Sequence, residues 1–280
     1  MAKSYSLLDS GNGQKLECFG NYTFARPCSQ ALWKPSLRKE VWDAADAAFS
    51  REASQGWKMR RDLPEQWNME YRGLLFKIAP TDFGHVGLFP EHAVVWDEMS
   101  ALLRMQKKRL CILNLFAYSG GATLRAAQAG AQVCHLDASK GMVGWARENA
   151  ALNRLDKAPI RWIVDDVMKF LRREVKRGVF YDGLILDPPT FGRGNQGEVF
   201  KVEREIQSLL QLCRAVLKEN PNFLFFTSHT PGMTPQVLHH LLAQMMQGAQ
   251  GKIEAKEMLL SSEGGLPIPS GSMAKWIGND

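Results

Sequence analysis

Asp137 closes the short apolar run Val133-Cys134-His135-Leu136, and Asp187 closes Leu184-Ile185-Leu186. A carboxylate at the end of a buried strand can accept hydrogen bonds from a pair of hydroxyls or from an amine. Upstream of Asp137 lies Asn114-Leu115-Phe116-Ala117-Tyr118-Ser119-Gly120-Gly121. The apolar run from Arg109 to Phe116 predicts a buried strand, residues 117–121 a turn of small residues, and 122–129 a helix. Strand, glycine turn, helix, strand, carboxylate is the layout of a site that holds a nucleoside.

The turn lacks the Gly-x-Gly-x-x-Gly spacing that cradles a pyrophosphate. Two adjacent glycines and a strand-end acid favour S-adenosylmethionine over NAD. Asp137 then takes the ribose diol, beside Ala138. Ser139 is the better-placed cap for the helix that follows, which frees Asp137 for a ligand. Asn114, Phe116, Ala117, Tyr118, Ser119 and Gly120 line the ribose and methionine side. Asp165 and Asp166 end a third strand ahead of Val167. One of them suits the adenine amine and the other a helix cap, with Asp166 favoured for the base. Asn149 is placed to bond back to a strand-end carboxylate, and Trp145 reads as core.

Asp187-Pro188-Pro189-Thr190-Phe191 carries the transfer chemistry. Two prolines end a strand and fix where its carbonyls point. A rigid acceptor set of that kind orients a planar amino group. Asp187 and the Pro188 carbonyl hold the acceptor, while Phe191 stacks on a flipped base. His229, after a fifth strand, falls on the same rim as a base, a substrate contact or plain polar surface. His239-His240 reads as solvated. His85 precedes Gly87-Leu88-Phe89-Pro90-Glu91, a lid candidate. Lys169, Arg172, Arg173, Lys176 and Arg177 form a basic run, either a solvated face or a phosphate contact.

These positions need a sheet to hold them. Strands are expected at 109–116, 132–137, 159–164, 181–187 and 221–228, with helices near 121–130, 139–153, 166–177, 198–218 and 233–247. Two terminal strands follow at 252–260 and 273–277. Such alternation predicts an α/β fold: a Rossmann-like, doubly wound, mostly parallel seven-stranded sheet with an antiparallel edge. The N-terminal part reads as a small β-rich α+β region. Strands at 5–9 and 15–25 are joined by Ser10-Gly11-Asn12-Gly13. A helix capped by Ser36 spans Leu37, Val41, Ala44, Ala45 and Ala48. A strand spans 67–78, closed by Pro80, and Thr81-Asp82-Phe83-Gly84 makes a turn. Two domains follow: a recognition appendage over 1–80 and a transferase domain over 81–280.

Bulk composition agrees with a globular chain: 280 residues, 45% hydrophobic and 23% charged. A net charge of +6 suits a nucleic-acid partner. Five cysteines without a Cys-x-x-Cys pair predict neither a disulfide framework nor zinc, and no metal is expected. With no apolar signal core and no run of membrane-spanning length, a soluble cytoplasmic protein is expected.

The segments 114–121, Leu136-Asp137-Ala138-Ser139-Lys140, Trp145-Ala146-Arg147-Glu148-Asn149, Asp165-Asp166 and 187–191 resemble the class I S-adenosylmethionine-dependent methyltransferases. More narrowly they resemble bacterial large-subunit ribosomal RNA methyltransferases acting on cytosine C5 or guanine N7. Segment 87–91 is similar to one that approaches the cofactor there, which implies roles for Phe89 and Glu91. The resemblance covers about residues 70–230. It implies methyl transfer to a nucleic-acid base, with ribosomal RNA as the favoured substrate. Two departures stand out. Thr227-Ser228-His229-Thr230 lacks the catalytic cysteine of the C5 enzymes, so nitrogen is the expected target. Residues 1–70 do not match the PUA-type RNA-binding module. The rival readings are an RNA-binding protein with an inactive methyltransferase fold, a nicotinamide enzyme, and a methyltransferase acting on a small molecule or a protein.

Overall fold

The computed structural model describes residues 4–51, 56–193, 199–263 and 265–279. It divides into two compact units, Met1–Glu91 with Leu259–Ser270, and His92–Met258 with Gly271–Asp280. The first unit thus reaches past residue 80 and takes back a C-terminal segment. Residues Met1, Ala2 and Lys3, and the expected helix start at 198, lie outside the described residues.

The first unit is built on a five-stranded sheet in the order β1-β2-β3-β4-β5. Its strands are β1 (Tyr5–Gly11), β2 (Gln14–Phe19), β3 (Tyr22–Pro27), β4 (Ala47–Ser50) and β5 (Gly56–Met59). The expected strand over 15–25 is two strands, because Gly20 at φ 70° turns the chain between them. The expected strand over 67–78 is likewise a hairpin, β6 (Trp67–Tyr71) and β7 (Leu74–Ile78). Arg72 at φ 53° and Gly73 at φ 74° give its turn the left-handed pair that tight hairpins use.

The helix expected after Ser36 shrinks to α1 (Lys39–Asp43), and Ser36 does not cap it. The backbone N–H groups of Ser36 and Leu37 donate instead to Asp9, at 3.1 and 2.8 Å. The alanines favour a helix, but β4 pairs with β3 and β5 on either side, and tertiary pairing overrides that preference.

The second unit alternates strand and helix as the periodicity predicts. It runs α2 (Ala93–Met105), β8 (Cys111–Leu115), α3 (Gly121–Gln128), β9 (Gln132–Asp137), α4 (Lys140–Leu152), β10 (Ile160–Val164), α5 (Val167–Arg177) and β11 (Gly183–Leu186). A small hairpin follows, β12 (Phe191–Arg193) with β13 (Val199–Lys201), then α6 (Val202–Ala215), β14 (Phe223–Ser228) and α7 (Pro235–Met245). That hairpin shortens the helix expected over 198–218. The last strands are β15 (Gly251–Leu260) and β16 (Ile268–Gly278).

The sheet order is β10-β9-β8-β11-β14-β16-β15, parallel from β10 to β14, with β16 antiparallel to β14. Alternate residues along each strand face opposite ways. Leu113, Leu115, Leu184, Leu186, Leu224 and Phe226 join one core with residues of α5, α6 and α7. Strand order reverses between β8 and β11, which opens a crevice beyond their carboxyl ends. Among the described residues, no helix is long and apolar enough to cross a membrane.

Candidate active site

The loop after β8 begins the site. Phe116, Tyr118 and Gly120 hold φ of 55°, 50° and 92°, so the backbone swings sharply between strand and helix. Left-handed conformations at two bulky residues cost energy, and that cost is met by fixed bonds around them. Ala117 N–H donates to the carbonyl of Leu136 at 3.0 Å, and Gly120 N–H to that of Ala117 at 3.0 Å. The second glycine serves packing: a Cβ on Gly121 would lie 2.3 Å from Cζ2 of Trp96 in α2.

Asp137 ends β9 with both carboxylate oxygens engaged. Oδ2 accepts the backbone N–H of Tyr118 at 2.9 Å, and Oδ1 that of Ser139 at 2.8 Å. Burial raises its carboxyl above the usual carboxylate range, against those two hydrogen bonds. Ser139 caps α4 as expected, its Oγ accepting from Met142 N–H at 3.3 Å. Ala138, half-buried, sits between them. Strand-end acid, bent loop and adjacent backbone fit a nucleoside. The loop 116–120 lacks the glycine spacing of a pyrophosphate cradle, and the strand-end acid is a carboxylate acceptor of the kind a diol requires.

Three expectations are corrected here. Asn149 bonds to a backbone carbonyl where a strand-end carboxylate is expected. It is fully buried and its Nδ2 donates to the carbonyl of Ser119 at 2.9 Å, bracing the loop from α4. Asn114 is buried too, and its Nδ2 donates to Thr123 Oγ1 at 2.8 Å, so its amide supports the loop from below. The helix cap is Asp166, whose Oδ1 accepts from Lys169 N–H at 2.8 Å. Asp165 instead accepts from Asp166 N–H at 2.9 Å and forms an ion pair with Arg173. Val167 is buried at the start of α5. The exposed cations Arg172 and Lys176 lie on the outer face of that helix, as an amphipathic pattern requires.

Asp187 stands just past β11, on the other side of the crevice. Thr227 Oγ1 donates to its Oδ1 at 2.7 Å. Pro188 is buried, while Phe191 opens β12 and is 48% exposed. Thr190 and Thr230 share a hydroxyl hydrogen bond at 2.8 Å, which ties this loop to the one after β14.

The sequence reading missed His92, at the start of α2. Its Nε2 lies 3.0 Å from Nε2 of His229 and 3.5 Å from Oδ2 of Asp187. Ligand-type atoms of these three residues all fall within 4.8 Å, a convergence that spacing could not reveal. Phe89 and Glu91 belong to the first unit. Phe89 meets His85 edge-on at 5.2 Å, and Glu91 is buried in a short 3₁₀ turn.

A doubly wound sheet with this strand order, a glycine bend after β8 and an acid after β9 defines the class I methyltransferase architecture. The family model for S-adenosylmethionine-dependent methyltransferases matches residues 38–241. The chain belongs to that family. It is similar to the SAM-dependent methyltransferase from Agrobacterium tumefaciens, at 38% identity and TM-score 0.94, over 99% of this chain and 91% of that one. A methyltransferase-fold protein from Streptococcus mutans has TM-score 0.76 at 18% identity, over 99% of this chain and 76% of that one, which speaks for the fold alone. The ribosomal RNA large subunit methyltransferase K/L of Shewanella sp. (strain MR-4) is 31% identical over 63% of this chain. The chain spans 25% of that relative's length.

Proposed function

We propose that the chain methylates RNA, ribosomal RNA before other kinds, at a base nitrogen. Its family supplies the donor: S-adenosylmethionine brings an already activated sulfonium methyl. The protein's work is then placement and exclusion of water. In this reading Asp137 takes the ribose diol and the bent loop 116–120 lines the rest of the nucleoside. Asp165, rather than the capping Asp166, faces the adenine. Asp187 and the Pro188 carbonyl hold the acceptor amine, and Phe191 stacks on its ring.

The observation that carries the reading is Asp187 held by Thr227 at the switch-point crevice, opposite Asp137. The choice of nitrogen rests on what the rim lacks. Carbon methylation needs a thiolate to activate the ring. Cys111, Cys134 and Cys213 are each pushed up by burial, Cys134 to about 11, and they sit within β8, β9 and α6. The loop after β14 offers His229 instead. RNA is supported by the K/L relatives, by the net charge of +6 and by the exposed cations of α5. The β-rich first unit is assigned to substrate recognition.

The test uses full-length protein, labelled S-adenosylmethionine, and RNA, DNA and protein fractions from a strain lacking the gene. Label should enter RNA, and nucleoside digestion should return an N-methylated base. Label confined to protein or small molecules removes the substrate class, and 5-methylcytosine removes the choice of nitrogen.

A further inference from the structure

His92, Asp187 and His229 come from three separate segments: the start of α2, the loop after β11 and the loop after β14. The two imidazoles are parallel within 5° and their centres are 5.3 Å apart. With the Nε2 atoms 3.0 Å apart, that separation is reached only if both ring radii lie along the line joining the nitrogens. The rings are therefore head to head and not stacked face to face. This geometry is a shared N–H···N hydrogen bond. A metal ion would need both lone pairs to meet at a point off that line, and here they point at each other.

Everything around the pair fixes it. The Thr227 hydroxyl holds Oδ1 of Asp187, which leaves Oδ2 toward His92 at 3.5 Å. Thr230 N–H donates to Ser228 Oγ at 3.2 Å on either side of His229 in sequence. Gly271, at φ 113°, closes the other side: a Cβ there would lie 2.9 Å from His229 Nδ1. A surface pair with no task has no need of three converging segments.

We propose that His92 and His229 form a proton-holding pair that drains the acceptor nitrogen through Asp187. The inference rests on the nitrogen-methylation reading above. As the acceptor lone pair forms the new N–CH₃ bond, the S–CH₃ bond breaks with its electrons kept by sulfur. The acceptor N–H bond breaks with its electrons left on nitrogen, and that proton passes to Oδ2 of Asp187. From there it enters the gap between the two Nε2 atoms, which is open while both rings carry their own protons on Nδ1. Lodged there it is the shared N–H···N proton, and the pair is a monocation beside the Asp187 carboxylate until solvent removes the proton between turnovers. Such a device is useful only for an acceptor that carries a proton, an exocyclic amine rather than a ring nitrogen with a free lone pair. Asp187 is the catalytic residue, and the histidines position its proton.

The test begins with full-length protein labelled with ¹⁵N-histidine. One downfield proton coupled to Nε2 of both residues is expected, absent in His92→Gln and His229→Asn. Single-turnover transfer to RNA from the gene-deleted strain should then fall by about 100-fold or more in each variant. Substrate KM, cofactor affinity and melting temperature should stay within about twofold or a few degrees, and added imidazole should restore part of the rate. No shared proton, transfer within about threefold of wild type, or stoichiometric zinc binding that needs His92 would each overturn the proposal. If wild type labels no RNA, the substrate class falls, and the shared-proton signal alone decides the pair.

Discussion

Oδ2 of Asp137 and the backbone N–H of Tyr118 meet at 2.9 Å, so the acid at the end of β9 fixes the loop after β8. In the proposed function the same carboxylate both shapes this loop and offers its remaining lone pairs to the ligand. Preorganisation of this kind means that no loop has to be ordered when the ligand binds.

Replacing Asp137 separates those two roles. Asp137→Asn keeps an acceptor for Tyr118 but sets its amide NH₂ against the Ser139 N–H and loses the charge-assisted bonds to the diol. Affinity for S-adenosylmethionine should fall about 100-fold, or ~3 kcal/mol, with stability lower by about 1 kcal/mol for the stranded donor. Asp137→Ala should lose both. Calorimetry showing unchanged affinity in either variant would remove the ribose assignment.

Gly121 is a packing requirement. A methyl there meets the Trp96 ring at 2.3 Å, and neither α2 nor α3 can retreat without opening the core. Gly121→Ala should cost roughly 1–3 kcal/mol in denaturant unfolding. Trp96→Leu should recover part of that loss in the double variant. A double variant no better than the sum of the singles would show that the clash is relieved in some other way.

The architecture of the second unit was legible because burial imposes periods. Leu113 and Leu115 on one face, and Phe170 and Leu171 on an amphipathic helix, announce their elements. The first unit is less legible. Gly20 and Gly73 are single-residue signals, easily absorbed into a longer apolar run, and the alanines of 44–48 fit two periods. At the site, strand-end acids were found because they follow apolar runs. Asn114 and Asn149 were located, yet their partners were not, since a buried amide bonds to whatever carbonyl or hydroxyl the packing brings near. His92 gave no local signal at all. It reads as a helix start, and only tertiary structure brings it to His229, 137 positions away. The one available clue was His229 itself, a titratable group on the rim.

Asn149 tests the brace beneath the loop. Its Nδ2 bond to the Ser119 carbonyl is buried, so Asn149→Leu strands that carbonyl. A loss of about 1–3 kcal/mol in stability is expected. Cofactor affinity should weaken about tenfold as the loop loosens, with the change falling mainly on the dissociation rate. A variant as stable as wild type would mean that the carbonyl finds another donor.

His135 sets an acid limit on the fold. It is fully buried on β9, and burial, with help from Arg147, lowers its pKa to about 3. Asn114 donates to Thr123 Oγ1, which leaves the threonine proton for Nδ1 of His135 at 2.9 Å, so that nitrogen is an acceptor in the folded chain. In the unfolded chain the ring titrates near 6.5. Between those values the unfolded state holds a proton that the folded state refuses, so lowering the pH favours unfolding. The stability is fully present above 6.5 and drains away as the pH falls towards 3. From pH 6.5 to 4.5 the loss should be about 2–3 kcal/mol. His135→Gln keeps an acceptor for Thr123 without titrating. It should be less stable at pH 7 and should show a flatter fall on acidification. Urea midpoints measured at half-unit intervals give both slopes. Parallel curves for the two proteins would place the acid sensitivity elsewhere.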